Sequence, residues 1–336
     1  MPLVDKSPIA VLGAGSWGTA LAILLAANGH PTYLWGRNKS KIASMAKSHS
    51  NQYYLPDISF PEKLQVTSDM EQAITEQVRD ILIVVPASAM RETLQQIKPY
   101  LHPQNRIIWA CKGLEPGTAK WIHEVIEEEC GKDFPKAILS GPSFAKEVAN
   151  GAPTAIVLAS DPVDFAKDFR MHLVNAAFRV YTTNDVLGVE LGGACKNILA
   201  IAVGICDGLQ LGTNARAALI TRGLAEIRRL GLALGCEAKT LMGLSGLGDI
   251  VLSCTDDQSR NRKCGLAIGR GASQETIIKE VGHVIEGMKA AKEIYTLSQQ
   301  ADVEMPIVEM VTRVLSNEIK PEQAVHMLLA RELRSE

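Results

Sequence analysis

Paired cysteines are missing from this sequence. Its seven cysteines, at 111, 130, 195, 206, 236, 254 and 264, are odd in number and include no C-x-x-C pair. That pattern excludes a disulfide framework and a structural zinc site, and it suits a reducing cytosol. Excess charge is missing too. A formal net charge of -2 offers no general attraction to nucleic acid or to an anionic membrane, although a local basic cluster can still hold a small anion. The seven histidines (30, 49, 102, 123, 172, 283 and 326) form no H-x-x-x-H or Cys/His ligand pattern, so no metal is expected. Internal repeats and low-complexity tracts are also lacking. The N-terminal Met1-Pro2-Leu3-Val4-Asp5-Lys6 has no basic stretch followed by an apolar one, so no targeting signal is expected. One long apolar stretch, from Leu187 to Leu211, is interrupted by Glu190, Lys196, Asn197 and Asp207 and carries five glycines. It is expected to be a buried helix rather than a membrane span. These absences leave a soluble, cytoplasmic protein with no nucleic-acid partner and no membrane insertion as the expectation.

What is present is ordinary globular material in quantity. A chain of 336 residues with 46% hydrophobic and 21% charged residues can bury a sizeable core and is long enough for two domains. The first half alternates short apolar runs with longer amphipathic ones. Strands are expected at 9–12, 32–35, 65–67, 80–85, 106–110 and 137–139, with two more at 154–158 and 178–181. Helices are expected at 16–28, 41–47, 71–78, 90–97, 118–130 and 163–173. Strands with few polar residues, joined by helices, predict a parallel sheet covered on both faces. From about Asp185 only helical periodicity remains, at 187–208, 215–234, 276–281, 285–299, 307–316 and 321–331. The division predicted is an α/β domain over 1–187 and an all-helical domain over 188–336.

Gly13-Ala14-Gly15-Ser16-Trp17-Gly18 is a G-x-G-x-x-G segment between the first strand and the first helix. In that setting Gly13 permits the tight turn, Gly15 lets the backbone approach a pyrophosphate, and Gly18 allows close helix–strand packing. The helix N-terminus adds unpaired N–H groups and a positive dipole end. At the end of the second strand, where an NAD-selective site offers Asp or Glu, the chain has Gly36-Arg37-Asn38. A guanidinium there can pair with a 2′-phosphate or lie over an adenine face, so NADP is expected as cofactor, with NAD also possible. A solvated surface arginine is the lesser reading of the residue alone.

Hydride transfer to a ketone leaves an alkoxide that needs a proton, and the reverse reaction needs a base. Lysine serves both directions when its pKa is brought toward neutrality. Lys196 is the best candidate, lying mid-helix among apolar and small residues, where an ammonium is costly without a partner or a purpose. A lysine whose stem packs while its head reaches water fits the same pattern. Asp249, beside glycine turns in Gly246-Leu247-Gly248-Asp249, can partner Lys196 or can equally serve as an Asx turn or helix cap. In Gln258-Ser259-Arg260-Asn261-Arg262-Lys263, Arg260 and Asn261 can hold a substrate phosphate, or the run is a solvated basic turn. Lys112, directly after an apolar strand, and Gly141-Pro142-Ser143 lie at strand C-terminal ends, the edge where open α/β sheets bind ligands. Ser143 can also be no more than an N-cap.

Together these segments resemble the bacterial NAD(P)-dependent glycerol-3-phosphate dehydrogenases over nearly the whole chain. The resemblance is carried by GAGSWGTALA at 13–22, CKGLE at 111–115, SGPSFAKEV at 140–148 and GGACKNILAIAVGICDG at 192–208. It continues through TRGLAEI at 221–227, GLGDIVLSCTDDQSRNRKCG at 246–265 and VIEGMKAA at 284–291. It implies an N-terminal Rossmann-type doubly wound, mostly parallel sheet followed by an all-α C-terminal domain, in a homodimer. It further implies reversible reduction of dihydroxyacetone phosphate to sn-glycerol 3-phosphate, feeding glycerophospholipid synthesis. By this resemblance Lys196 is the general acid/base, and Lys112 contacts both substrate and cofactor. Gly141, Ser143, Asp249, Ser259, Arg260 and Asn261 match substrate positions. Ser16, Trp17, Arg37, Ala145, Arg260, Val284 and Glu286 match cofactor positions, beside the glycines 13, 15 and 18. Ile285 and Met288 stand where valines are expected and stay apolar. Two other readings remain: a β-hydroxyacid dehydrogenase of the same plan, for which the SRNR run is not expected, and a dinucleotide-binding redox sensor without turnover.

Overall fold

Four consecutive apolar residues with no exposed surface, Ile9–Leu12, form the first strand, β1, in the interior of an eight-stranded sheet. The computed structural model of the chain describes residues 6–281 and 286–332. The other strands are β2 (Thr32–Trp35), β3 (Ser50–Asn51), β4 (Leu55–Ser59), β5 (Leu64–Thr67), β6 (Asp80–Ile83), β7 (Arg106–Trp109), β8 (Lys136–Ser140), β9 (Thr154–Ala159) and β10 (Phe178–Thr183). The large sheet runs β10-β9-β8-β7-β6-β1-β2-β5, and β3 and β4 pair separately. The helices joining them are α1 (Ser16–Ala27), α2 (Lys39–Ser48), α3 (Met70–Ala73), α4 (Met90–Ile97), α5 (Ile122–Cys130), α6 (Ala145–Ala149) and α7 (Val163–Leu173). The chain divides into two compact units: residues to 115 with 120–186, and residues from 187 with 116–119.

The strand order reverses at β1, between β6 on one side and β2 on the other. The loops that follow β1, β2, β6, β7 and β8 therefore open on one edge of the sheet, because these strands are mutually parallel. The opposite edge carries an ion network built on a buried pair. Asp80 and Arg106, the first residues of β6 and β7, form a two-pronged pair at 2.6 and 2.8 Å, and Arg106 also reaches Asp168 of α7 at 2.5 Å. The guanidinium lies over the Phe165 ring, 4.5 Å from its centroid.

The sheet departs from the parallel expectation at one place, because β9 is antiparallel to β8. Between them lie the Gly141 turn and the five-residue α6. The helix expected at 71–78 shortens to α3, and the one expected from 118 starts only at Ile122, with Gly117 and Ala119 both at positive φ before it. Tyr53 and Tyr54 lie in the turn of the β3–β4 hairpin, and Leu55 and Pro56 open β4, a hairpin that the sequence reading did not include.

Among its described residues the second unit holds helices and the turns between them, with no strand: α8 (Val186–Gly208), α9 (Thr213–Ala233), α10 (Ala238–Leu241), α11 (Asp249–Thr255), α12 (Arg260–Gly269), α13 (Gln274–Val281), α14 (Glu286–Gln300), α15 (Pro306–Leu315) and α16 (Pro321–Leu329). The most apolar window of α8 is long enough to cross a membrane, yet 83% of it is buried inside the protein, as befits a core helix. Gly204 and Gly208 on α8 face Gly265 and Gly269 on α12. A Cβ at Gly204 would collide with the Arg262 carbonyl, and one at Gly265 with that of Ile201. Small residues four apart on both helices let the backbones touch.

Here the sequence expectation needs correcting. Leu244–Gly248 is a widened helical turn that runs directly into α11, not a glycine turn, and the SRNR run opens a regular helix, α12. The glycines misled because their work is packing rather than turning. A Cβ at Gly246 would enter the Leu241 carbonyl, and one at Gly192 would lie 2.6 Å from the Ser245 oxygen.

Candidate active site

In the first unit the glycine loop has the geometry that a dinucleotide requires. Gly13 holds φ at +122°, and a Cβ there would overlap the Val84 carbonyl at the end of β6. A Cβ at Gly18 would strike the Gly13 carbonyl, so α1 can approach β1 only without side chains at both places. Gly15 differs: nothing lies within 4 Å of its Cβ position. It is also the N-cap of α1 and gives the helix no side-chain cap. The first-turn N–H groups, with Ser16 and Trp17 half-buried beside them, are left for an anion facing open space. The residues present fit a pyrophosphate.

The hairpin missed at the sequence level braces this loop. Asn51 donates from Nδ2 to the Thr19 hydroxyl at 2.8 Å and to the Ala14 carbonyl at 3.2 Å. Its signal in the sequence was slight, a short polar pair among loop residues. Arg37 is exposed just beyond the end of β2.

Further along the same sheet edge, Lys112 follows β7 and extends its Nζ to 3.4 Å from the Gly141 carbonyl, which follows β8. Gly141 has φ +139°, with the Ile156 Cα only 3.0 Å from its Cβ position. The Ser143 hydroxyl donates back to the same carbonyl at 3.0 Å, and the N-cap of α6 is Phe144, so Ser143 is not a cap. Lys112, Gly141 and Ser143 are thus gathered around one carbonyl. Ala145 begins α6 beside them.

In the second unit Lys196 sits on α8 with its ammonium held by two groups of α11. Nζ lies 3.1 Å from Asp249 Oδ1 and 2.9 Å from Ser253 Oγ, and Ser253 is 3.4 Å from the same Asp249 oxygen. Asp249 and Ser253 lie one helical turn apart on one face of α11, which is why both reach a single nitrogen. Asp249 is 1% exposed. Its carboxylate supplies the opposite charge without which a lysine in this helix would be costly. The neighbouring Cys254 is buried, and desolvation pushes its thiol up to about 12, so it is inert beside the charged pair.

The polar run divides by position. Ser259 is buried and caps α12, its Oγ accepting from the Arg262 N–H at 3.3 Å. Arg262 is buried between Asp207, 2.6 Å away, and Asp257. Arg260 is exposed on the first turn of α12. Asn261 donates to Asn197 Oδ1 at 2.8 Å and accepts from the Gly287 N–H at 3.0 Å, while Asn197 donates to Glu286 at 3.3 Å. Asn197, Asn261 and Glu286 so form one polar chain across α8, α12 and α14. Asn197 and Ser253 were not singled out from the sequence; each stands beside an obvious residue, and only packing shows what it touches. Val284 lies outside the described residues.

Two family models cover most of the chain. The N-terminus of NAD-dependent glycerol-3-phosphate dehydrogenase matches residues 8–166, and the C-terminus of the same enzyme matches 185–326. The chain belongs to the NAD-dependent glycerol-3-phosphate dehydrogenase family. It is 52% identical over 334 residues to a glycerol-3-phosphate dehydrogenase [NAD(P)+] of Mannheimia succiniciproducens, covering 99% of both chains. Another, from Actinobacillus pleuropneumoniae serotype 3, is 52% identical over 332 residues and 98% of both. The crystal structure of glycerol-3-phosphate dehydrogenase from Coxiella burnetii superimposes with a TM-score of 0.92 at 47% identity, covering 97% of this chain and 99% of that one. Like its family, this enzyme uses NAD or NADP as cofactor and acts on a small substrate. Its mostly parallel sheet and following helical unit are the family's fold.

Proposed function

We propose that Lys196 is the general acid/base of the reaction, the reversible hydride transfer between NAD(P)H and dihydroxyacetone phosphate that gives sn-glycerol 3-phosphate. The bound dinucleotide supplies the hydride, or accepts it in the reverse direction. In reduction the ketone oxygen becomes an alkoxide, and Lys196 Nζ delivers the proton that makes it a hydroxyl. In oxidation the same nitrogen takes that proton back. The observation that carries this reading is the placement of Nζ between Asp249 and Ser253. An ammonium has three donors, so two fixed bonds leave one hydrogen for a substrate oxygen in a set direction. Asp249 balances the charge, and Ser253 fixes the position.

Substrate binding falls to Lys112, Gly141 and Ser143 in the first unit and to Lys196, Asp249, Ser259, Arg260 and Asn261 in the second. Asn261 keeps one amide hydrogen beyond its bond to Asn197, and Arg260 presents an exposed guanidinium; both are donors suited to phosphate oxygens. Ser259 contributes chiefly by starting the helix that carries them. The cofactor is held by Gly13, Gly15, Ser16, Trp17, Gly18, Arg37, Lys112, Ala145, Arg260, Val284 and Glu286. The nucleotide-binding domain spans 1–187 and the substrate domain 188–336. The enzyme works in the cytoplasm as a homodimer and feeds glycerophospholipid synthesis.

The test is the loss of NADPH absorbance with purified protein and dihydroxyacetone phosphate, against NADH and unphosphorylated dihydroxyacetone. Oxidation that needs the phosphate is expected. No oxidation by protein that still binds the dinucleotide would discard this substrate.

A further inference from the structure

Beside the end of β2 stands a group that the reaction does not account for. Tyr53 and Tyr54, in the turn of the β3–β4 hairpin, are 71% and 43% exposed and meet edge to face, with ring centroids 4.6 Å apart. The ammonium of Lys41 lies 4.0 Å from the centroid of Tyr53 and 5.6 Å from that of Tyr54. Two adjacent tyrosines left in solvent and used to hold one cation are an unusual surface, since a ring face attracts an ammonium but leaves its hydrogens open to an anion.

Its location gives it meaning. A Cβ at Gly36 would meet the Ala14 Cβ of the glycine loop and Ile42 Cδ1 of α2, both at 2.9 Å. The end of β2, the first turns of α2 and the glycine loop therefore meet at a point with no room for a side chain. The hairpin joins them there, because Asn51 bonds the Ala14 carbonyl. Lys41 is the residue before Ile42, and its own N–H is bonded at 2.9 Å by Asn38, the cap of α2, so the first turn carrying it is fixed. Arg37 is exposed at the same turn, and no acidic side chain stands between Gly36 and Tyr54.

We propose that Lys41, held by Tyr53, is a second cation that with Arg37 receives the 2′-phosphate of NADP(H) and so sets the enzyme's tolerance for the phosphorylated cofactor. The proposal rests on the reading that this edge of the sheet holds the adenosine end of the dinucleotide. Neither cation is a carboxylate that would repel the 2′-phosphate, and neither blocks an unphosphorylated ribose, so both cofactor forms can enter. Tyr53 acts as a positioning residue, keeping the flexible lysine stem from spreading into solvent.

The experiment measures Kd by fluorescence or calorimetry for NADPH, NADH, adenosine 2′,5′-bisphosphate and 5′-ADP with wild-type protein and with Lys41→Met, Arg37→Met, Tyr53→Leu and Tyr53→Phe. Lys41→Met is expected to weaken NADPH and the 2′,5′-bisphosphate about tenfold (about 1.4 kcal/mol). NADH and 5′-ADP should change by less than about twofold, and the selective loss should shrink at high salt. Tyr53→Leu should follow in the same direction, and Tyr53→Phe, which keeps the ring face, should bind like wild type. Equal changes in all four ligands, or none, with Lys41→Met would overturn the proposal. If Arg37→Met is selective while Lys41→Met is not, the adenosine reading of this edge stands and the role of Lys41 falls. If neither is selective, both fall.

Discussion

Lys196 and Asp249, 53 residues apart in sequence, meet at 3.1 Å between a core helix and a short helix that starts at the aspartate itself. With Ser253 they form the chemical centre of the second unit, and the sharpest predictions bear on them.

Replacing Lys196 by Ala should lower kcat by about two to four orders of magnitude, the usual worth of a positioned acid/base, while Kd for NADPH stays within about twofold. Steady-state kinetics and a binding titration on the same preparation check both parts. An undiminished kcat would remove Lys196 from the mechanism.

Ser253→Ala keeps the charge pair and removes only the second anchor of Nζ. It should cut kcat about tenfold with little change in KM or thermal stability. Asp249→Ala is the harsher change, since it strands the ammonium, and it should lower both kcat and Tm. Equal losses for the two variants would mean that Ser253 does more than position the nitrogen.

Glu226 offers a test by pH. It is 3% exposed on α9, and both of its oxygens accept from the first N–H groups of α15, at 2.9 and 3.1 Å from Ile307 and 3.3 Å from Val308. Desolvation pushes its carboxyl up to about 7, against the opposing pull of those two donors and of Arg229 and Arg331. Because the folded value lies above the ordinary 4.5, the folded state binds the proton more tightly than the unfolded chain. Its contribution is therefore complete below about pH 4.5 and is lost as pH rises through about 7, by an amount on the order of 3 kcal/mol. Glu226→Gln should flatten the dependence of Tm on pH between about 5 and 7.5. An unchanged slope in the variant would assign that dependence elsewhere.

The contact of α8 with α12 should tolerate no added atoms. Gly265→Ala places a methyl group against the Ile201 carbonyl and should cost about 1–3 kcal/mol in urea unfolding, through the helices being forced apart. Gly15→Ala, where the Cβ would meet nothing within 4 Å, should leave stability nearly unchanged and weaken dinucleotide binding instead.

The sequence alone reached the strand–helix alternation of the first unit and the helical character of the second, because period and breakers are local properties. Met90–Ile97 and Val163–Leu173 match their expected bounds, and Gly29, at φ +94°, follows the end of α1. The glycine loop was legible because each glycine answers a local demand. Lys196 was legible as a cation in the wrong surroundings, and the resemblance of its flanking segments carried the reaction.

Tertiary structure decided the rest, for the physical reason that contacts between distant segments leave no local mark. Whether Gly192 and Gly246 turn the chain or clear a path for a neighbouring backbone cannot be read from glycine itself, which serves both ends equally. Asp249 as a partner rather than a cap, Ser253 beside it, and Asn51 as a brace of the glycine loop depend on which helix faces and strand ends pack together. The antiparallel pairing of β9 with β8 is a relation between whole strands and exists only once the sheet is assembled. The sequence determined which elements form and which chemistry they carry; packing determined which of those groups touch.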